Sequence, residues 1–278
     1  MSSEMGKVKR GLAFVSGVAI GSLGGLIGLG GAEFRLPLLI GIFGFGPLEA
    51  VILNKGMSLI VVAVALPARA AVVPFARIFS YWSVIVTLIC GSVSGAWWGA
   101  GFATKLQPRA FYMIIAVLLV SVAGVLLFCH GTSAQQVAFS GLLSLIVVGV
   151  VAGFGIGVFA ALLGVAGGEL LIPTIVFLFG IDIKLAGRLS LAVSIPTMIT
   201  SFSRYSRDMS FQVVRREWPF IAIMAAGSVV GSWLGGRLLG VVPNSVLLPL
   251  LAAILVISAV QVWRHSKKKG TSIRSYNS

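Results

Sequence analysis

Gly28-Leu29-Gly30-Gly31-Ala32-Glu33, running on to Pro37, returns 136 residues later as Gly164-Val165-Ala166-Gly167-Gly168-Glu169, running on to Pro173. The register holds without a gap on either side. Gly17, Gly21, Gly44, Ala50, Leu53 and Ser58 meet Gly153, Gly157, Gly180, Ala186, Leu189 and Ser194 at the same offset. Further along, Gly-Ser-Val-x-Gly-x-Trp-x-Gly at 91–99 returns at 227–235, and Trp82 returns as Trp218. The chain therefore reads as a duplicated unit. Apolar duplications with a glycine break near mid-membrane are how many secondary transporters build a substrate site.

The surrounding composition decides the solvent. Of 278 residues, 58% are hydrophobic and 10% charged, with mean hydropathy +1.06. Soluble domains carry about 25% charged residues, so a surface this apolar points to a polytopic membrane protein. The net charge of +14 does not indicate nucleic acid, because the basic residues sit in short loops and tails beside apolar runs. Lys7, Lys9 and Arg10 precede the first run, and Arg264, Lys267, Lys268, Lys269 and Arg274 follow the last. Both termini are expected on the cytoplasmic side, with the Lys267–Lys269 cluster facing anionic lipid. The expected location is a bacterial inner membrane. The first apolar run lacks a clear small-residue cleavage site, so it reads as a span and not as a signal peptide.

Apolar runs fall at about 11–28, 34–45, 48–66, 81–104 and 110–129, then at 137–163, 170–180, 186–202, 218–236 and 245–263. The expected fold is an all-α membrane bundle of about eight full spans in two homologous helical repeats. Residues 34–45 and 170–180 would reach only roughly 17 Å as helices, about half the hydrocarbon core. They are expected as two short re-entrant or broken half-helices, whose irregular ends must be buried in protein or line a cavity. The organisation is then a tail at 1–10, repeats at 11–129 and 137–263, a polar linker at 130–136, and a basic tail at 264–278. Charge counting balances inverted against parallel repeats. Transporter precedent favours the inverted arrangement.

The breaks are the first candidates for chemistry. Gly28, Gly30 and Gly31, with Gly164, Gly167 and Gly168, precede short helices whose free N–H groups and positive dipole ends suit an anion; close helix packing is the alternative use of such glycines. No strand or Gly-Lys-Ser/Thr accompanies them, so no nucleotide loop is indicated. Glu33 and Glu169 match across the repeats. A mid-membrane carboxylate pair costs a few kcal/mol, so it reads either as a proton-coupling pair or as two helix caps. Arg35 and Lys55 have no basic counterpart, since Leu171 and Leu191 occupy those positions. They and Arg188 are candidates for anion contact, the alternatives being ion pairs or snorkelling. Asn54 and Ser58, with Ser190 and Ser194, form matched i, i+4 pairs, each on one helix face. They serve either the site or interhelical packing. Trp82, Trp97, Trp218 and Trp233 read as interface belts, and Arg204–Asp208 as a cytoplasmic loop anchor. Cys90 and Cys129 read as small core residues; no metal site, disulfide framework or cofactor motif is present in the sequence, and no catalytic set emerges around His130 or His265.

These motifs resemble the sulfite exporter TauE/SafE family, also called the toluene-sulfonate uptake permeases. That family repeats Gly-x-Gly-Gly-Gly, an apolar stretch and a proline, then a short loop and an Ala/Ser-rich helix. Here the first copy runs from Gly28 to Pro37, then Glu49-Ala50 and Ser58; the second runs from Gly164 to Pro173, then Ala186 and Ser190–Ser194. Ala32 and Ala166 depart from the pattern. The resemblance spans about 11–263. It implies a non-enzymatic permease or exporter of small anions such as sulfite, sulfonates or carboxylates, with proton coupling suggested by the glutamates. The alternative is a non-transporting assembly or partner protein that retains the fold. Expected partners are the anion and the bilayer, with a homodimer as a compatible assembly.

Overall fold

A computed structural model describes residues 2–27, 31–70, 81–128, 142–181, 183–238 and scattered positions from 253 to 264. The described chain is helical, without strands among the described residues. Its helices are α1 (Ser2–Ile27), α2 (Ala32–Gly41), α3 (Pro47–Ala70), α4 (Trp82–Ala103), α5 (Pro108–Phe128), α6 (Leu142–Leu163), α7 (Gly168–Phe179), α8 (Ile183–Tyr205), the short α9 (Gln212–Arg216) and α10 (Trp218–Leu238). Within α3, α4, α6, α8 and α10, 5 stretches are long and apolar enough to cross a membrane. The expected run at 245–263 falls mostly outside the described residues, as do the linker and the C-terminal tail.

Two expected half-helices are present as α2, with 10 residues, and α7, with 12. Each begins two residues earlier than the apolar pattern suggested. The reason is local: Gly31 (φ 71°) and Gly167 (φ 80°) turn the chain through the left-handed region, and the helix resumes at once. Gly44 (φ 73°) and Gly180 (φ 64°) turn it again beyond the far ends. Both pairs stand at the offset seen in the sequence.

The long helices are held by backbone-to-backbone contact across glycines. On α10, side chains at Gly227, Gly231 and Gly235 would strike the main chain of Phe14, Val18 and Ser22 on α1. On α4, side chains at Gly91, Gly95 and Gly99 would strike Val150, Phe154 and Val158 on α6. Small residues every fourth position form a groove that lets two membrane helices approach closely, where dispersion replaces the absent hydrophobic drive. Each zipped pair joins one helix from the first half of the chain to one from the second.

These contacts fix direction. In both zippers residue numbers rise together, so α1 runs with α10 and α4 runs with α6. Gly56, early in α3, faces the ring of Phe202 near the end of α8, and Arg216 reaches Glu49 at the start of α3 at 3.4 Å. The third helix of one half thus runs against the third helix of the other. Gly101, at the end of α4, lies against the Arg204 guanidinium at the end of α8, whereas α10 begins at that same end, where Phe220 packs on Phe43 and Phe45. A hydroxyl pair, Ser92 and Thr197 at 2.7 Å, ties α4 to α8 inside the bundle.

Candidate functional site

The main core packs α2 and α3 against the end of α6. On α3, Asn54, Lys55 and Ser58 are all buried. The i, i+4 spacing of Asn54 and Ser58 keeps both on the face toward α6, and Lys55 sits beside them.

What they meet is the broken end of α6. Ala160 O and Ala161 O accept from Val165 N–H at 3.1 Å and Gly164 N–H at 3.2 Å in the closing turn, and side chains supply further donors to this buried end. The Asn54 side-chain amide donates to Leu163 O at 3.0 Å and to Ala32 O, the first residue of α2, also at 3.0 Å. Lys55 Nζ donates to Ala160 O at 2.7 Å and Val165 O at 2.9 Å. Ser58 Oγ donates to Gly164 O at 3.5 Å, and Tyr205 Oη, from α8, to Ala161 O at 3.0 Å. An ammonium at a helix C-terminus also meets the negative end of the dipole, which is the favourable sign. A side chain on Gly164 would collide with Val51 O, so the residue must be glycine both for its φ of 69° and for the approach of α3.

Asn54 thereby brings the two breaks together, because the carbonyls at the start of α2 and at the end of α6 lie one hydrogen bond from the same nitrogen. The starts of α2 and α7 carry no side-chain cap. Their first N–H groups are unsatisfied within the helices. Gly31 packs under Ile20 of α1, and Gly167 against Ala160 and Ile156 of α6.

Glu33 and Arg35 lie on α2 and are buried, at 3% and 0% exposure. Arg35 donates from Nη1 to Ser58 Oγ at 3.4 Å, which links it to the same face of α3. Glu33 is near enough for electrostatic contact with Arg35 and with its own backbone N–H. Its Oε1 is buried with no hydrogen-bond partner among the described residues. A carboxyl oxygen in that condition is costly unless it is protonated or given a ligand. Asn54 Oδ1 and Ser194 Oγ share that condition. Ser190 bonds Gly187 O on its own helix at 2.9 Å. Arg188 Nη1 is likewise buried without a partner among the described residues.

Gly28 and Gly30 lie outside the described residues, and so does the side chain of Glu169. Gly168 opens α7. Glu49, at the start of α3, pairs with Arg216 and accepts from Gly46 N–H. The sequence reading missed Tyr205, and a tyrosine at a helix end gives no signal that its hydroxyl will reach across the bundle. It also read Lys55 without its carbonyl partners, since nothing in a linear pattern shows that residue 55 meets residues 160 and 165.

A family model described as Sulfite exporter TauE/SafE matches residues 12–271. No curated protein and no solved structure matches the chain.

Proposed function

The chain belongs to the sulfite exporter TauE/SafE family, and from that premise we propose that it is a secondary transporter of a small anion, a sulfur oxyanion, sulfonate or carboxylate, coupled to protons. The observation that carries this reading is the bridge made by Asn54. It holds the start of the uncapped short helix α2 against the end of α6, where the chain turns into the other short helix, beside two buried cations, Lys55 and Arg35. Converging N–H groups and positive charge away from water form the environment an oxyanion needs.

In this reading Gly28, Gly30 and Gly31, with Gly164, Gly167 and Gly168, expose the backbone N–H groups. Arg35 and the third N–H of Lys55 supply charge-assisted donors, and Asn54, Ser58, Ser190 and Ser194 supply neutral ones. Glu33 and Glu169 are the proton-coupling candidates. A carboxyl oxygen buried without a partner supports that role for Glu33.

The two halves are repeats of inverted orientation, making eight full spans and two half-helices. The shared offset of the left-handed glycines and the opposed directions of α3 and α8 support this. Arg10, Lys105, Arg109, Arg204, Arg207, Arg215 and Arg216 gather at one end of the helices, where the N-terminus also lies. By the positive-inside rule that end is cytoplasmic, in a bacterial inner membrane.

Purified protein in proteoliposomes tests the proposal. Labelled sulfite, sulfoacetate, taurine and simple carboxylates are offered with and without an imposed pH gradient. Accumulation of at least one anion that rises with the gradient is expected. No accumulation of any, from protein shown to be folded and inserted, overturns it.

A further inference from the structure

Away from the central site, the shared end of α4 and α8 holds a cleft of about 220 Å³, lined by Trp97, Trp98, Gly101, Phe102, Lys105 and Arg204. We propose that this cleft binds the phosphate headgroup of an anionic phospholipid.

The charge comes first. Arg204 lies flat on the bare face of Gly101, where a Cβ would come within 3.1 Å of Nε and 3.2 Å of Nη2. The guanidiniums of Arg204 and Arg207 both stand 5.1 Å from the ring of Trp97. Lys105, just past α4, completes a set of three cations. Among the described residues no carboxylate comes within ion-pair distance of any of them; the two ion pairs present both belong to Arg216. Asp208, the acidic residue nearest in the chain, accepts from Ser210 N–H at 2.8 Å and caps the turn that follows α8. Two guanidiniums held on one indole repel each other. The cation–π contact offsets only part of that, at about 0.5–1 kcal/mol each in exposed settings. A phosphate bound in the cleft would offset the repulsion and accept from the Arg204 fork and the Lys105 ammonium, the two cations that line it.

The surroundings identify the source of the phosphate. The cleft sits at the ends of two helices long and apolar enough to cross a membrane, and the ends of such helices meet the headgroups. Trp98 and Phe102 stack with centroids 5.4 Å apart and planes 4° apart, and both are exposed. They form an apolar shelf leading from the cations along the outer face of α4. A soluble anion has no use for such a shelf, whereas a lipid lays an acyl chain on it. Basic pockets at the ends of membrane helices take anionic headgroups in this manner.

The test uses the full chain in neutral detergent. Its thermal midpoint is followed as phosphatidylglycerol, phosphatidylcholine or tail-less glycerol phosphate is added at equal concentration. Phosphatidylglycerol is expected to raise the midpoint well beyond phosphatidylcholine, and glycerol phosphate to have little effect. R204Q/R207Q should lose at least half of the lipid-induced rise. K105Q, which leaves the helix ends untouched, should lose a smaller share, and provides the measurement if the double variant does not fold. R10Q/R215Q removes two cations from the same end of the protein but not from the cleft, and should keep the rise. The proposal is overturned if both lipids act alike, if glycerol phosphate matches phosphatidylglycerol, if neither cleft variant alters the rise, or if R10Q/R215Q lowers it as much.

Discussion

Asn54→Leu removes the side chain that bonds both the start of α2 and the end of α6, and it is expected to destabilise the protein by about 1–3 kcal/mol. Leucine keeps the branching and heavy-atom count of asparagine, with bulkier methyl ends that the buried face of α3 must accommodate. What changes is that Ala32 O and Leu163 O each lose a donor at 3.0 Å. Interhelical hydrogen bonds in membrane bundles average about 0.6 kcal/mol each, because the unfolded chain in the bilayer also finds partners. Two such bonds set a floor of about 1.2 kcal/mol. Ala32 O keeps the N–H of Leu36 within α2, whereas Leu163 O, the last carbonyl of α6, stays buried without that donor once the amide is gone. An orphaned buried acceptor costs about 1–3 kcal/mol, which raises the expectation above that floor. Leucine also removes Asn54 Oδ1, itself without a partner, and that relief offsets part of the loss. The matching residue of the second half supplies the control. Ser190 bonds Gly187 on its own helix, so Ser190→Ala should cost less than about 0.5 kcal/mol. Reversible unfolding in mixed micelles measures both. A loss for Asn54→Leu below about 0.6 kcal/mol, or equal losses for the two variants, would refute the view that Asn54 joins the halves.

Lys55→Met should weaken stabilisation by any anion that protects the parent at least tenfold in affinity, about 1.4 kcal/mol, as read by thermal shift; an unchanged affinity would restrict Lys55 to capping α6. Glu33→Gln should abolish transport driven by a pH gradient while exchange of the anion down its own gradient persists, and gradient-driven uptake at the parental rate counts against a proton role. Gly157→Ala should disrupt the α4–α6 zipper, because a Cβ there would strike Ser92 O. Gly155→Ala meets nothing within 4 Å and should be neutral or stabilise by up to about 1 kcal/mol, so a comparison of the two melting points tests the backbone contact directly.

The sequence showed its architecture wherever one residue type has one use. Gly31 and Gly167 each precede a proline-bearing short apolar run, and the left-handed turns stand where the paired motif placed them. The short helices were legible because length against bilayer thickness is a one-dimensional property. Direction was not. Charge counting left inverted and parallel schemes equal, and the directions of α3, α4 and α8 come from contacts such as Gly101 with Arg204 and Gly56 with Phe202, which no linear pattern shows. The glycines of 91–99 and 227–235 were legible as a duplication but not as zippers, since their partners lie on helices far away in the chain. At the site, burial of Arg35 and Lys55 followed from their apolar surroundings. The partners of Lys55 did not, because backbone carbonyls leave no mark in a sequence. Ser92 and Ser228 show the same limit from the other side. They match in sequence, yet Ser92 bonds Thr197 while Ser228 has no partner among the described residues, because Val61 stands where a second threonine would be needed.

The pairing of helices constrains how such a bundle can move. The α1–α10 and α4–α6 zippers each join the two halves of the chain through main-chain contact. A rocking motion of one half against the other would separate both at once, and tightly packed small-residue interfaces forfeit most of their dispersion on a gap of an ångström. Among the elements outside the zippers are α2, α3, α7 and α8. These are the helices that carry the breaks, the buried cations and the bonds of Asn54 and Lys55. Side-chain donors on carbonyls are more easily exchanged than interlocked backbones, because another donor, an anion's proton or a water can replace each one. Motion about the candidate site is therefore cheapest where α3 grips the end of α6, with the zipped pairs as the frame against which it occurs.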